Sequence, residues 1–328
     1  MTATALRSAL RVDVVVPEAI AGAWQRLWRR VPGATPFASP AWLIPWARHY
    51  APGRCRVAML ARGGELVGCL PAFWWQQRLL LAGTGPSDHG DALFVSGFEA
   101  GAGELLGALL AAIDRPIERI EFDQLARSSP LLALPCPVGW RDHVETGTVC
   151  PVLALAGSDG MANVGKRMRR NWRYALHCLE RSGARLERVA AAGADEAVRD
   201  LHRLHALRWA ERGQKGVLAD PMLRRLLDDA GSALAAADML RMQRVRVDEQ
   251  TVAVLFALHG DRRTCCYLSG FDPAFAKLSP VTALVGATIA AAAREGDLTV
   301  DFLRGDEAYK YGWGACDEAM SRRVFVPA

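Results

Sequence analysis

From Leu10 to Val16 apolar and polar residues alternate (LRVDVVV), and the alternation predicts a strand. Helical spacing follows over 19–30 and 40–50. The pairs Trp24/Trp28 and Trp42/Trp46 are four apart, so each pair shares a helix face; that pattern suits core packing better than a ligand box. Over 55–75 two apolar runs flank Gly63-Gly64, a hairpin signature. RLLLAG reads as a third strand and TGPSDHGDALF as a loop entering a fourth. A helix near 102–113 leads to a strand at 117–122.

The second half repeats this order. Two strands over 240–260 surround a turn at Asp248-Glu249, and RRTCCYLSG is a third strand. The loop FDPAFAKLSP comes next, then a helix near 280–294 and the strand LTVDFL at 298–303. ELLGALLAAIDRPIERIEF also aligns with ALVGATIAAAAREGDLTVDF across one gap, so an internal duplication is expected. The expected fold is mixed α/β (α+β). It comprises two lobes, 1–150 and 151–328, each a mostly antiparallel sheet flanked by helices. Between the repeats lie helices near 163–183, capped by Asn163, near 194–212, and near 220–236, opened by Asp220-Pro221.

Composition narrows the class. The chain has 328 residues, 51% of them hydrophobic and 23% charged, which predicts a packed core rather than disorder. A net charge of +5 is too mild to imply DNA, although the basic face Lys166, Arg167, Arg169, Arg170 and Arg173 stands out locally. Its readings are a solvated face, a grip on phosphates, or contact with an anionic membrane. The eight cysteines form no CxxC pair and no histidines have zinc spacing, so reduced thiols and no metal are expected. No apolar run has the length of a leader or a membrane span, which predicts a cytoplasmic protein.

Chemistry concentrates in DFLRGDEAYKYGWG (301–314). Asp301, Arg304, Asp306, Glu307, Tyr309 and Lys310 fall within ten residues, and Lys310 is one of four lysines beside 36 arginines. From the residues alone this is either a site or an ion-pair cluster pinning the C-terminal segment. GPSDHGDALF brings Asp88, His89 and Asp91 together between strands. His89 has the residue type of a general base near neutrality, and a polar turn is the alternative. Ser279 and Pro280 suit the start of a helix whose N-terminus can receive a phosphate.

Taken in order, gelVGclPaf, llLaGtGpsDhgDaLf, gKRmRRnwryalhclersG, LhalRWaeRGqkGvlaDP, lSGFDPafakLSP and vDFLRGDEAYKYgWG resemble the CelD-like group of GNAT-type acyltransferases, relatives of the FemAB transferases. The resemblance runs from about Phe37 to Trp313. Val281 stands where that family usually has glycine, and His89 where it usually has an aromatic residue.

The resemblance implies tandem GNAT lobes, an acyl-CoA donor and an amine acceptor. It implies Tyr267, Leu268, Leu278, Ser279 and Arg170 at the cofactor. It implies His89, Asp306 and Tyr309 in catalysis, and Asp88, Asp91, Arg208, Trp209, Arg304 and Lys310 at the substrate. An amino sugar or lipid-linked amine in envelope or exopolysaccharide synthesis is the first expectation, with peripheral membrane contact. The rival readings are N-acylation of a long-chain amine, aminoacyl transfer from tRNA (ranked below acyl-CoA), and a scaffold without catalysis.

Overall fold

The computed structural model describes residues 10–328. Along the chain run β1 (Leu10–Val15), α1 (Ala21–Arg30), α2 (Pro40–Tyr50), β2 (Cys55–Arg62), β3 (Glu65–Trp75), β4 (Arg78–Leu81) and β5 (Leu93–Phe94). Next come α3 (Ala102–Ala112), β6 (Arg119–Leu125), β7 (Trp140–Ala154), α4 (Lys166–Arg181), β8 (Arg185–Arg188), α5 (Ala194–Glu211) and α6 (Pro221–Ala236). The last elements are β9 (Gln243–Val247), β10 (Gln250–Gly260), β11 (Arg263–Phe271), α7 (Pro280–Glu295), β12 (Thr299–Asp301), α8 (Ala308–Gly312) and β13 (Cys316–Pro327).

The chain divides into two compact units. The first runs through Gly147 and includes Ala319–Ala328; the second is Thr148–Glu318. In the first, β1, β2, β3 and β4 are successive antiparallel neighbours. β4 pairs in parallel with β6, and β6 pairs antiparallel with β13. In the second, β8, β9, β10 and β11 are antiparallel neighbours. β11 pairs in parallel with β12, and β12 pairs antiparallel with the Val152–Ala154 end of β7. The strand order is therefore the same in both, with α3 and α7 as the crossovers into the parallel strand.

Each pattern is closed by a strand from elsewhere in the chain. β13 returns to the first unit after the second is complete, so the last ten residues lie with residues 10–147 rather than in a lobe 151–328. Burial explains the return. Val324 and Phe325 are fully buried, and Phe325 meets Phe122 edge-on at 5.9 Å between ring centroids.

Local sequence explains several elements. The β2–β3 turn places Gly63 and Gly64 at φ 60° and 83°, left-handed values that suit glycine. The Asp220 carboxylate caps α6 by accepting from the Met222 amide at 2.8 Å, with Pro221 in the first turn. Asn163 does not cap α4. Gly165 holds that position, and the Asn163 amide donates to the Ala154 carbonyl at 2.8 Å. The four tryptophans of α1 and α2 are buried, and Trp42 Nε1 donates to the Ser87 hydroxyl at 2.8 Å. All eight cysteines are free. No helix among the described residues is long and apolar enough to cross a membrane.

Candidate functional site

In the second unit, β11 and β12 pair only as far as Cys265↔Asp301. Beyond that point β12 ends and the chain turns away, with Leu303 at φ 61°. On its other edge β11 slips register against β10: Phe256 faces Leu268 while Ala257 faces Cys266. Tyr267 is the extra residue, and such a bulge twists the strand and redirects its groups. The strand segment Cys266–Phe271 thus borders an opening in the parallel ladder.

β11 runs through a 3-10 segment, Pro273–Leu278, into α7. Ser279 occupies the N-cap position in left-handed geometry (φ 51°, ψ 47°) and its hydroxyl makes no cap bond. The first-turn amides of α7 have no acceptor within the helix and carry the positive end of its dipole. That is the electrostatic requirement for an anion. Val281 and Leu278 are half-buried and pack onto the core, so valine here has a packing role that glycine would not fill.

The 301–310 stretch is more structural than its charges suggested. Asp301 is fully buried; its Oδ2 pairs with Arg263 Nη1 at 3.0 Å, and its Oδ1 accepts from the Leu303 amide at 2.7 Å. Lys310 is buried as well. Its Nζ donates to the carbonyls of Leu303, Arg304 and Gly305 at 2.9, 2.7 and 3.1 Å, and lies 2.8 Å from Glu307 Oε2. An ammonium has three protons, so none is left for a substrate. The expected substrate role of Lys310 is corrected to that of a clamp on the 303–305 turn. Its carboxylate partner is Glu307, not Asp306. Partial burial opposes the charged form of Glu307, but the bond to Lys310 outweighs it and holds the carboxyl below its usual range. Asp306 is exposed and bonds neither Arg304 nor Lys310, so it does not orient them; Arg304 is half-buried.

Tyr309 is half-exposed and meets Phe302 edge-on. Burial, then the facing Cys266 and Glu307, push its hydroxyl well above the usual phenol range, so it keeps its proton. Arg208 of α5 reaches the same neighbourhood. It sets Nη1 3.4 Å from the Ser269 hydroxyl and its guanidinium 5.5 Å from the Phe271 ring centroid. Burial and then Arg212 lower its pKa, Tyr309 partly opposing them, and its Nε is buried without an acceptor.

Trp209 tilts against His205, a residue the sequence reading passed over. His205 is buried and held neutral, its pKa pushed down to about 4 by burial, then by Arg208 and His202. Its fit depends on two glycines. A Cβ on Gly270 would come within 2.6 Å of the His205 amide nitrogen, and one on Gly216 within 2.4 Å of its ring. Gly270, inside a strand, was the visible sign of this close approach. Arg170 lies exposed on α4.

In the first unit, the Asp88, His89 and Asp91 loop is not a solvated turn. Asp88 and His89 are buried, and the His89 ring tilts against Phe37 at 6.0 Å. Asp91 Oδ1 accepts from the Ser129 hydroxyl at 2.7 Å and the Ala92 amide at 2.8 Å. Burial raises its pKa to about 7 against these bonds and the charge of His89. Thr35, His89, Asp91, Arg127 and Ser129 help line a cavity of about 740 Å³. Ser129 had no signal in the sequence, since it meets Asp91 from 38 residues away.

Residues 166–311 match the model of an acetyltransferase (GNAT) domain. FemX shares 12% identity over 95% of this chain and 96% of its own, with a TM-score of 0.65. The C-terminal domain of a putative lysylphosphatidylglycerol synthetase from Agrobacterium fabrum shares 11% over 94% and 92%, with a TM-score of 0.61. A conserved protein of unknown function from Bacteroides thetaiotaomicron shares 13% over 97% and 100%, with a TM-score of 0.62. At these identities the likeness is one of fold. No curated protein sequence matches the chain.

Proposed function

We propose that the chain, whose residues 166–311 match an acetyltransferase (GNAT) domain, is a GNAT-type acyltransferase that moves an acyl group from acyl-CoA to the amine of an amino sugar or lipid-linked acceptor in the cell envelope. The observation that carries the reading is the opening of the β11–β12 ladder beyond Cys265↔Asp301, bordered by a bulged strand and followed by an uncapped helix.

In this reading the CoA pyrophosphate rests on the first turn of α7 beside Leu278 and Ser279; Arg170, expected there from the sequence, is exposed on the outward face of α4 and is not among its partners. The acyl–pantetheine arm follows the free edge of β11. A backbone N–H at Tyr267 or Leu268 holds the carbonyl oxygen, where negative charge grows as the amine attacks. The ammonium first loses a proton, and Asp306, exposed and unbonded in this unit, is the carboxylate we assign to receive it. The C–N bond forms, the C–S bond breaks, the thiolate takes a proton from Tyr309, whose raised pKa keeps it protonated until then, and the second proton leaving the nitrogen restores Tyr309 by way of solvent. Arg208 and Trp209 flank the acceptor, and Arg304 contributes a further cation. Within the first unit, the cavity lined by His89 and Asp91 is assigned to a polar ligand. A carboxyl near pKa 7 can there hold an ammonium or a hydroxyl.

The neighbours named FemX and lysylphosphatidylglycerol synthetase support a second reading, aminoacyl transfer on the same fold. The test is thiol release from acetyl-CoA and long-chain acyl-CoA with amine acceptors, run beside transfer from aminoacyl-tRNA. Release of CoA with a matching N-acyl product supports the proposal. Transfer from tRNA with neither thioester consumed replaces it with the second reading, and binding of none of these donors leaves the scaffold.

A further inference from the structure

We propose that the outward face of α4 docks the protein on the surface of a bilayer that contains anionic phospholipid. The helix carries Lys166, Arg167, Arg169, Arg170, Arg173 and Arg181 against the single acid Glu180. Its net charge of +5 equals that of the whole chain, so everything outside these sixteen residues is balanced.

The placement is electrostatically unfavourable for the isolated protein. Four of the cations sit in the first five residues, with no acid in the first turn, where the helix dipole already presents positive charge. Elsewhere several arginines are paired: Arg244 with Glu187 and Glu196, Arg241 with Glu295, Arg263 with Asp301 and Glu318. Among the described residues, no ion pair joins a lysine or arginine of α4 to an acid; the pair within the helix is His177 with Glu180 at 3.9 Å. A sustained concentration of unpaired like charge is relieved by an anionic partner.

Packing prevents the helix from turning this face inward. Ala175 and Leu179 are buried, Trp172 covers Gly286 so closely that a Cβ there would lie 2.3 Å from its ring, and Met168 rests on Gly312. Lys166, Arg170, Arg173, His177 and Arg181 therefore point outward in a row about 24 Å long. Tyr174, 63% exposed, lies in the same row and supplies the amphipathic ring favoured at a lipid headgroup layer. A straight convex row meets a plane along its whole length. A nucleic-acid strand is held by a basic groove with stacking platforms, and one convex helix offers no groove. The inference does not depend on the acyl-transfer reading, because binding to lipid is read without turnover.

The experiment is co-sedimentation of the full chain with vesicles of phosphatidylcholine alone and of phosphatidylcholine with about one third phosphatidylglycerol, at about 0.1 M salt. Binding is expected only to the anionic vesicles. Arg173→Gln with Arg181→Gln should weaken it about 30-fold while leaving acetyl-CoA binding unchanged. Lys166→Gln with Arg167→Gln repeats the test at the other end of the helix if the first pair does not fold. Equal binding to both vesicles, no binding to either, unchanged binding by the folded variants, or tighter retention on single-stranded RNA than on vesicles overturns the proposal.

Discussion

Replacing Lys310 with methionine separates a clamp from a catalytic cation. Methionine keeps much of the side-chain volume and removes the ammonium. Three carbonyls, at Leu303, Arg304 and Gly305, then lose their donor, and Glu307 loses its cation. A hydrogen bond to a charged group contributes about 1.5–3 kcal/mol, and breaking a buried charged pair costs about 3–5 kcal/mol. Because Glu307 is exposed and can return to water, we expect the lower part of that range, about 3 kcal/mol. In a unit of this size that is a fall in Tm of roughly 6–12 °C. Urea denaturation of wild type and Lys310→Met, followed by circular dichroism, measures the difference. Activity per folded molecule should fall too, since Tyr309 is anchored one residue away. A variant within about 1 kcal/mol of wild type, with activity alone abolished, would refute the clamp and return Lys310 to the reaction.

Two other outcomes follow from the site. Tyr309→Phe should lower kcat by about 10- to 1000-fold with KM and melting little changed, because the ring is retained and half-exposed; retention of full kcat would remove it as the proton donor. For Asp91 the folded pKa of about 7 lies above the unfolded carboxylate value of 3.8, so its contribution favours folding most below about pH 4 and is lost as pH rises through 7. Asp91→Asn should therefore flatten the decline in stability between those limits. A decline of unchanged slope in the variant, measured by denaturation across that range, would contradict the assignment.

The parts of the fold legible in the sequence were those with local causes. Gly63-Gly64 marks a hairpin because two adjacent left-handed residues require it, and Asp220-Pro221 marks a helix start because cap and φ act within one turn. β7 and β13 were missed because WRDHVETGTVCPVLA and CDEAMSRRVFVP are long, charged and set by distant pairing: Arg323 of β13 faces Phe122, and Val152 of β7 faces Asp301. β12 ended sooner than LTVDFL suggested, since Leu303 is left-handed, which nothing in a leucine announces.

The site divides in the same way. Tyr309 is half-exposed against Phe302, but Lys310 reads as a free cation until its three carbonyl acceptors are seen. A general-base role for His89 was argued from residue type, yet the carboxyl brought near neutrality is that of Asp91. Burial of the carboxyl causes the shift, and the serine beside it comes from far along the chain.

The central claim is that acyl-CoA lies in the β11–β12 opening with its pyrophosphate on α7. Calorimetric titration of CoA into wild type and Ser279→Asp tests it most directly. Aspartate tolerates the left-handed geometry of that position and favours the helix N-terminus, so the variant should fold at least as well as wild type. Its charge would sit against the pyrophosphate and weaken CoA binding about tenfold or more. Tight CoA binding by wild type, with that loss in a fully folded variant, is the predicted result; equal affinity in the two proteins would contradict the account.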